Sequence, residues 1–361
     1  MAISLLSHAE QVAAHLRNEL SLGRWRHVMP GIQKLGIELG VNHNTVEAAL
    51  RLLEEEGLVE TQGHGRPRQV CAAAFSGSNR SLRVKILMYD MADRFSPAHI
   101  ELLTRLQEAG HAADFASKTL QDLGMKVERV ARFVDKHPAD TWVVCSGSHE
   151  ILKWFSACPV PAIAMYGRFS GTDLPIAGVA PRKSPSLVTA VRRLVELGHR
   201  RIVMLSREER RKPKPALYEQ NFLDALETLG VPTGAYNLPD WEESPAGLHA
   251  GLDALFRHTP PTALIMTDTS FNFSVLQYLS RNGIVVPEHL SLIYSDPDPA
   301  FAWCQPTIAY FRWEYRPLVQ RILRWASHVA RGREDREQSL FMAEFVEGGT
   351  IGPARSSASR G

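Results

Sequence analysis

The 361-residue sequence predicts an α/β chain in two parts, a small helical head with a two-stranded tip and a larger two-lobed body of parallel sheets with flanking helices. Three observations carry this. Within residues 30–70 two helix-period segments meet across a very short turn and lead into a basic, glycine-punctuated hairpin. Residues 72–82, from Ala72 to Leu82, are small, polar and aperiodic, as a linker is. From residue 83 onward short apolar runs alternate with helix-period segments.

In the head, Gly40 permits a left-handed stop after one short helix and Asn42 is suited to cap the next. The second helix places Val46, Ala49, Leu50 and Leu53 at i, i+3, i+4 and i+7, a core stripe that leaves His43, Asn44, Glu47 and Arg51 outward. Gly57 ends it. Leu58–Gln62 and Gly63–Val70 then form two short strands around a tip containing His64, Gly65, Arg66 and Arg68. This is a winged helix-turn-helix, the arrangement that presents a recognition helix to a DNA major groove.

The body's strands are expected at Val84–Tyr89, Thr141–Ser146, Pro161–Met165, Arg201–Leu205, Ala263–Thr267 and Ser291–Tyr294. Helices between them include Pro97–Ala109, Ser184–Leu197 and Phe271–Asn282, each closed by glycine. About 260 residues of this pattern exceed one open sheet, so two similar lobes are expected. We expect a head at 1–71, a linker at 72–82, a body at 83–349 and a disordered tail at 350–361. Lobe 1 is expected at about 83–198 and 308–330, lobe 2 at about 199–307 and 331–349. In open α/β sheets ligands bind beyond the carboxyl ends of strands, and two sheets facing each other enclose the ligand between them. That rule selects Asp90, Phe95, Ser146, Ser148, Asp268 and Asp296, with Arg182 near the end of a crossover. Phe95, Phe271 or Trp303 would supply an apolar platform, and the carboxylates would accept hydroxyl hydrogen bonds. The ordinary alternative for each carboxylate is a helix cap or a turn.

The head resembles the GntR family of bacterial repressors, from Val12-Ala13-Ala14-His15-Leu16-Arg17 through Leu22-Gly23-Arg24-Trp25 and Pro30 to Gly57-Leu58-Val59 and Gly63-His64-Gly65. The resemblance implies DNA contacts at Gln33, Asn42, His43, Asn44, His64, Gly65 and Arg66. Lys34, Thr45, Arg51 and Arg68 join them by position. Many members carry arginine where this chain has His43 and Glu47, so its readout depends less on arginine. The body resembles the effector domain of the LacI family, which shares the periplasmic sugar-binding protein fold. The segments that carry this are Val191–Ile202, Phe222–Leu226 before Gly230-Val231, Pro261–Ile265 and Gly283–Ser291. It implies polar ligand contacts at Asp268 and Asp296. Sugar-binding members commonly carry arginine at Tyr218, so the ligand is not an ordinary free hexose, or Arg182 replaces that donor. Head and body together resemble the regulator subgroup that includes an arabinose repressor. The implied function is an effector-controlled repressor, a homodimer on a pseudo-palindromic double-stranded operator; the alternative is a small-molecule sensor whose main output is not DNA binding.

Composition sets the remaining bounds. The formal charge is +2, and residues 1–72 carry seven Lys/Arg against eight Asp/Glu, so the placement of basic residues, not bulk charge, supports a DNA partner. Glu54, Glu55, Glu56 and Glu60 are expected to be solvated, and Arg207–Lys214 is expected to be a charged surface loop without function. Cys71, Cys145, Cys158 and Cys304 lack metal-ligand or disulfide spacing. The N-terminus is unlike a signal peptide and no apolar run reaches bilayer length, so we expect a cytoplasmic protein with no membrane partner, metal or cofactor. No lysine sits in a pyridoxal-phosphate setting and no GxxxxGK loop occurs, so no enzyme is expected.

Overall fold

The computed structural model describes residues 7–21, 25, 28–61, 67–71 and 80–355. The wing residues His64, Gly65 and Arg66 and most of the expected linker lie outside the described residues. By contact density the chain divides into one unit of residues 1–83, 104–113 and 323–335 and another of 84–103, 114–322 and 336–361.

In the first unit, α1 (His8–Ser21), α2 (Ile32–Leu39) and α3 (His43–Glu55) are followed by β1 (Val59–Glu60) and β2 (Gln69–Val70), an antiparallel pair with Val59 opposite Val70. Leu16, Leu35, Val46, Ala49, Leu50 and Leu53 are each at most 1% exposed, so one apolar stripe per helix closes a single core. Gly40 takes φ +65°, where a side chain would strain the backbone. The Asn42 side chain accepts from the Thr45 backbone at 2.8 Å, so the turn between α2 and α3 is made by the two residues the sequence pointed to.

The other elements run β3 (Arg83–Leu87), α4 (Pro97–Glu108), β4 (Ala112–Phe115), α5 (Val127–Lys136), β5 (Thr141–Cys145), α6 (His149–Ser156), β6 (Ala162–Met165) and β7 (Ala177–Arg182). They continue with α7 (Ser184–Glu196), β8 (Ile202–Leu205), α8 (Glu208–Arg211), α9 (Leu217–Thr228), α10 (Pro245–His258), β9 (Ala263–Met266), α11 (Asn272–Arg281) and β10 (Ser291–Tyr294). β11 (Ala309–Arg312), α12 (Arg316–Ala330), β12 (Gln338–Met342) and β13 (Glu344–Val346) complete the chain. One sheet has the order β12-β7-β6-β5-β3-β4 and the other β13-β11-β10-β9-β8. β5, β6, β8, β9 and β10 are buried at every residue, as parallel strands covered on both faces must be.

The lobe boundaries differ from the expected ones. α7 packs into the core of the second sheet, β11 belongs to that sheet, and β12 joins the first by pairing with β7. The chain therefore crosses between lobes after Arg182, after Arg312 and after Met342, not near 198, 307 and 330. The tail also differs. The Thr350 hydroxyl donates to the Leu292 carbonyl at 2.8 Å, His199 Nε2 lies 2.9 Å from the Gly352 carbonyl, and the Ala354 backbone donates to Leu197 at 2.8 Å. Residues 350–355 are therefore fastened to the second lobe.

Gly178 in β7 is a packing glycine, since a Cβ there would stand 2.5 Å from the fully buried Phe169 ring. Gly178→Ala is expected to destabilise the protein by about 1–3 kcal/mol, read as a lower urea midpoint; an unchanged midpoint would mean that the ring moves freely.

Candidate functional site

On α3 the outward side chains are His43, Asn44, Glu47, Ala48 and Arg51, opposite the buried Val46, Ala49 and Leu50. Gln33 and Lys34 are exposed at the start of α2. Three expected contacts carry other duties. Asn42 Oδ1 accepts from the Thr45 backbone and from its hydroxyl at 2.9 Å, so both residues serve the helix cap. Arg68 Nε donates to Glu54 Oε1 at 2.5 Å, which ties the wing strand to the far end of α3. The glutamates expected to be solvated include two that hold arginines, because Glu56 also takes both Nε and Nη2 of Arg17. Arg51 donates to Glu47 at 3.1 Å.

The body places its charge between the lobes, where β3, β8, β9 and β10 end. Arg207, two residues beyond β8, is 6% exposed. Its Nε meets Asp268 at 2.5 Å, Nη1 meets Glu243 at 2.9 Å, and Nη2 meets Asp90 of the first lobe and the Ser270 hydroxyl, each at 3.0 Å. Its guanidinium lies 4.2 Å from the ring centre of Tyr89, also of the first lobe. Burial opposes the charge, but Asp268, Tyr89 and Glu243 outweigh it and raise the pKa. A run expected to be an idle surface loop thus supplies the centre of the cleft. Arg210 and Arg211 turn inward with it: Arg210 Nε holds the buried Glu219 at 2.7 Å, and Arg211 donates to the Ser206 carbonyl at 2.9 Å and the Trp241 carbonyl at 2.8 Å.

Further links join the lobes. Arg168 Nη1 donates to the Glu209 carbonyl at 2.8 Å and the Lys212 carbonyl at 3.0 Å, and Nη2 to the Lys214 carbonyl at 3.1 Å. Tyr89 Oη lies 3.0 Å from Glu209 Oε2 and 2.8 Å from Glu243 Oε1. One hydroxyl proton cannot serve two carboxylates. Burial, and then Glu243, push Glu209 up to about 7, so it can retain the second proton. Burial and the neighbouring Asp90 likewise push Asp93 up to about 7.

Asp296 forms a second cluster. It accepts from Lys183 Nζ, from Trp313 Nε1 at 3.2 Å and from the Ser295 hydroxyl at 3.1 Å. Lys183 and Trp313 stand on two of the three crossovers. Tyr218 is 9% exposed, and the Arg210 guanidinium lies 5.9 Å from its ring centre. Arg182 is exposed, so the cation entering the cleft at this crossover is its neighbour Lys183. Ser148 caps α6, accepting from the Ile151 backbone at 3.3 Å, while Ser146 takes φ +54° at the end of β5. Phe95 and Trp303 are 80% and 91% exposed and join neither cluster. Of the expected residues, the structure gathers Asp90 and Asp268 at Arg207, and Asp296 beside Tyr218.

Comparisons with known proteins identify both parts. Residues 8–66 match the gntR family of bacterial regulatory proteins, and residues 191–351 match a periplasmic binding protein-like domain. The chain thus joins a GntR DNA-binding domain to a periplasmic-binding-protein-like domain, the class of a bacterial DNA-binding regulator. Among solved structures it is similar to the transcriptional regulator CelR in complex with cellobiose, at 16% identity and TM-score 0.60, covering 89% of this chain and 100% of that one. A LacI family regulator from Enterococcus faecium with bound ribose gives 15% and 0.59, covering 75% and 99%. A LacI family sugar-binding regulator from Escherichia coli complexed with phosphate gives 16% and 0.57, covering 75% and 98%. No curated protein sequence matches the chain.

The raised Asp93 makes stability depend on pH. Its folded pKa of about 7 exceeds the ordinary carboxylate value, so its contribution to stability is complete below about 4 and is lost as pH rises through 7. Asp93→Asn removes that loss. The variant is expected to gain stability relative to the parent between pH 4 and 7 in parallel urea titrations; a constant difference would mean that Asp93 is ionised throughout.

Proposed function

We propose that this chain is an effector-controlled transcriptional regulator, a repressor that reads DNA through α3 and the wing and takes a small polyol between its lobes. The observation that carries the effector half is the Arg207 cluster, because it draws Tyr89 and Asp90 from one lobe and Asp268 and Glu243 from the other into one half-buried polar space. Carboxylates there suit ligand hydroxyls or amines and disfavour sugar acids. The ribose and cellobiose in two structural neighbours support a carbohydrate. Asp296, Tyr218 and Lys183 would form the inner end of the site. The head-and-body combination favours the subgroup that includes an arabinose repressor, and action on DNA implies a cytoplasmic protein without catalytic duty.

We also propose a homodimer on a pseudo-palindrome. A head that reads one half-site needs a second copy to span a two-fold operator. Light scattering of the full-length protein on its operator is expected to give two chains per duplex, and His43→Ala with Asn44→Ala is expected to abolish sequence preference in a footprint. One chain per duplex, or an unchanged footprint, would remove the corresponding half of the proposal.

The effector half is tested by thermal shift of the full-length chain against neutral sugars, amino sugars and sugar acids, followed by calorimetry with any that stabilise it. Asp296→Asn is expected to weaken such a ligand by about 1.5–3 kcal/mol, the worth of a charge-assisted hydrogen bond, and to leave operator affinity without effector unchanged. Equal affinity in the variant would mean that Asp296 serves only the crossovers.

A further inference from the structure

We infer that Glu47 reads a base, selecting a cytosine in each half of the operator. The inference rests on α3 being the recognition helix and goes beyond it by assigning a base to one residue. Glu47 sits midway along the outward face, between His43 one turn before and Arg51 one turn after. His43 Nδ1 is 4.0 Å from Glu47 Oε2, and Arg51 Nη2 is 3.1 Å from Glu47 Oε1. The three side chains form a stripe along the helix with one acceptor flanked by two nitrogen-bearing groups. Glu47 is the carboxylate of that stripe, its side chain is 37% exposed, and the adjacent Ala48 adds no bulk to the face.

A carboxylate brought against DNA is repelled by the phosphates unless a base donor meets it. The major groove offers two such donors, the N4 amino group of cytosine and the N6 amino group of adenine. Adenine places the acceptor N7 beside N6, which repels a second carboxylate oxygen and suits an amide instead. Cytosine has a C–H group beside N4, so glutamate pairs with cytosine. The present partners do not prevent this. An exposed ion pair at this helical spacing shifts an equilibrium by only about twofold, whereas a wrong base at a well-paired position costs about fivefold to 150-fold. Until DNA arrives, Arg51 pairs with the Glu47 carboxylate on the outward face of α3.

The test is selection of binding sites from a randomised duplex pool by the full-length protein and by Glu47→Gln, Glu47→Ala and Asn44→Ala. The parent is expected to select an invariant cytosine in each half-site. Glu47→Gln is expected to move the preference at that position alone to adenine, with at least tenfold discrimination, because the amide both accepts from N6 and donates to N7. Glu47→Ala is expected to lose preference there and keep it elsewhere. If Glu47→Gln or Glu47→Ala selects the parental base at every position, the inference is overturned. Should Asn44→Ala also leave the whole consensus intact, the failure lies with the recognition-helix assignment itself.

Discussion

The body is organised around one buried cation. Arg207 leaves the end of β8, is 6% exposed, and meets Asp90, Glu243 and Asp268 while stacking on Tyr89. Removing one partner from a buried ion pair costs about 3–5 kcal/mol, because the remaining charge is left desolvated. Here the remainder would be three carboxylates. Asp90, Glu243 and Asp268 set three carboxylates against the single charge of Arg207, and burial, helped by Asp90 and Glu243 respectively, pushes the neighbouring Asp93 and Glu209 up to about 7, toward their neutral forms. Arg207 is thus what allows so many acceptors to share a half-buried space, and any ligand there must respect that balance.

The head was legible because its signals are local. A glycine in the left-handed region and an asparagine whose side chain caps Thr45 are separated by one residue, and the α3 stripe has an unbroken helical period. Such features need no knowledge of distant chain. The pairing of Arg68 was not legible for the opposite reason, since its partner Glu54 lies fourteen positions away across the wing. Glu56 is exposed, as expected, and local sequence does not show its partner Arg17, which is on another helix.

In the body, position after a strand selects Asp90, Asp268 and Asp296, which the structure gathers into two polar clusters. Applied evenly it selects Arg207 as well, since β8 ends at Leu205. The basic run that follows drew attention to its charge and away from its place. The lobe boundaries were harder to read. β12 has a mixed burial pattern rather than a buried apolar run, and its pairing with β7 joins residues about 160 positions apart. No local period announces a strand of that kind.

The two clusters also divide the mechanical work. Asp296 ties Lys183 and Trp313, which stand on two of the three crossovers, whereas Arg207 and Arg168 link the lobes through groups beyond them. These lobe contacts are made by the protein's own groups, and an effector shifts the lobe equilibrium only by the difference in its affinity for the two arrangements. Contacts equal in both shift nothing, however tight. If the effector occupies the proposed site, exchanging one Arg207 partner for a ligand hydroxyl would leave the number of interactions nearly unchanged, while a new contact at Asp296 would compete with Lys183 and Trp313 at the crossovers. In the proposed site the leverage of an effector would therefore lie at the Asp296 end, with the Arg207 end setting which ligand charge is admitted.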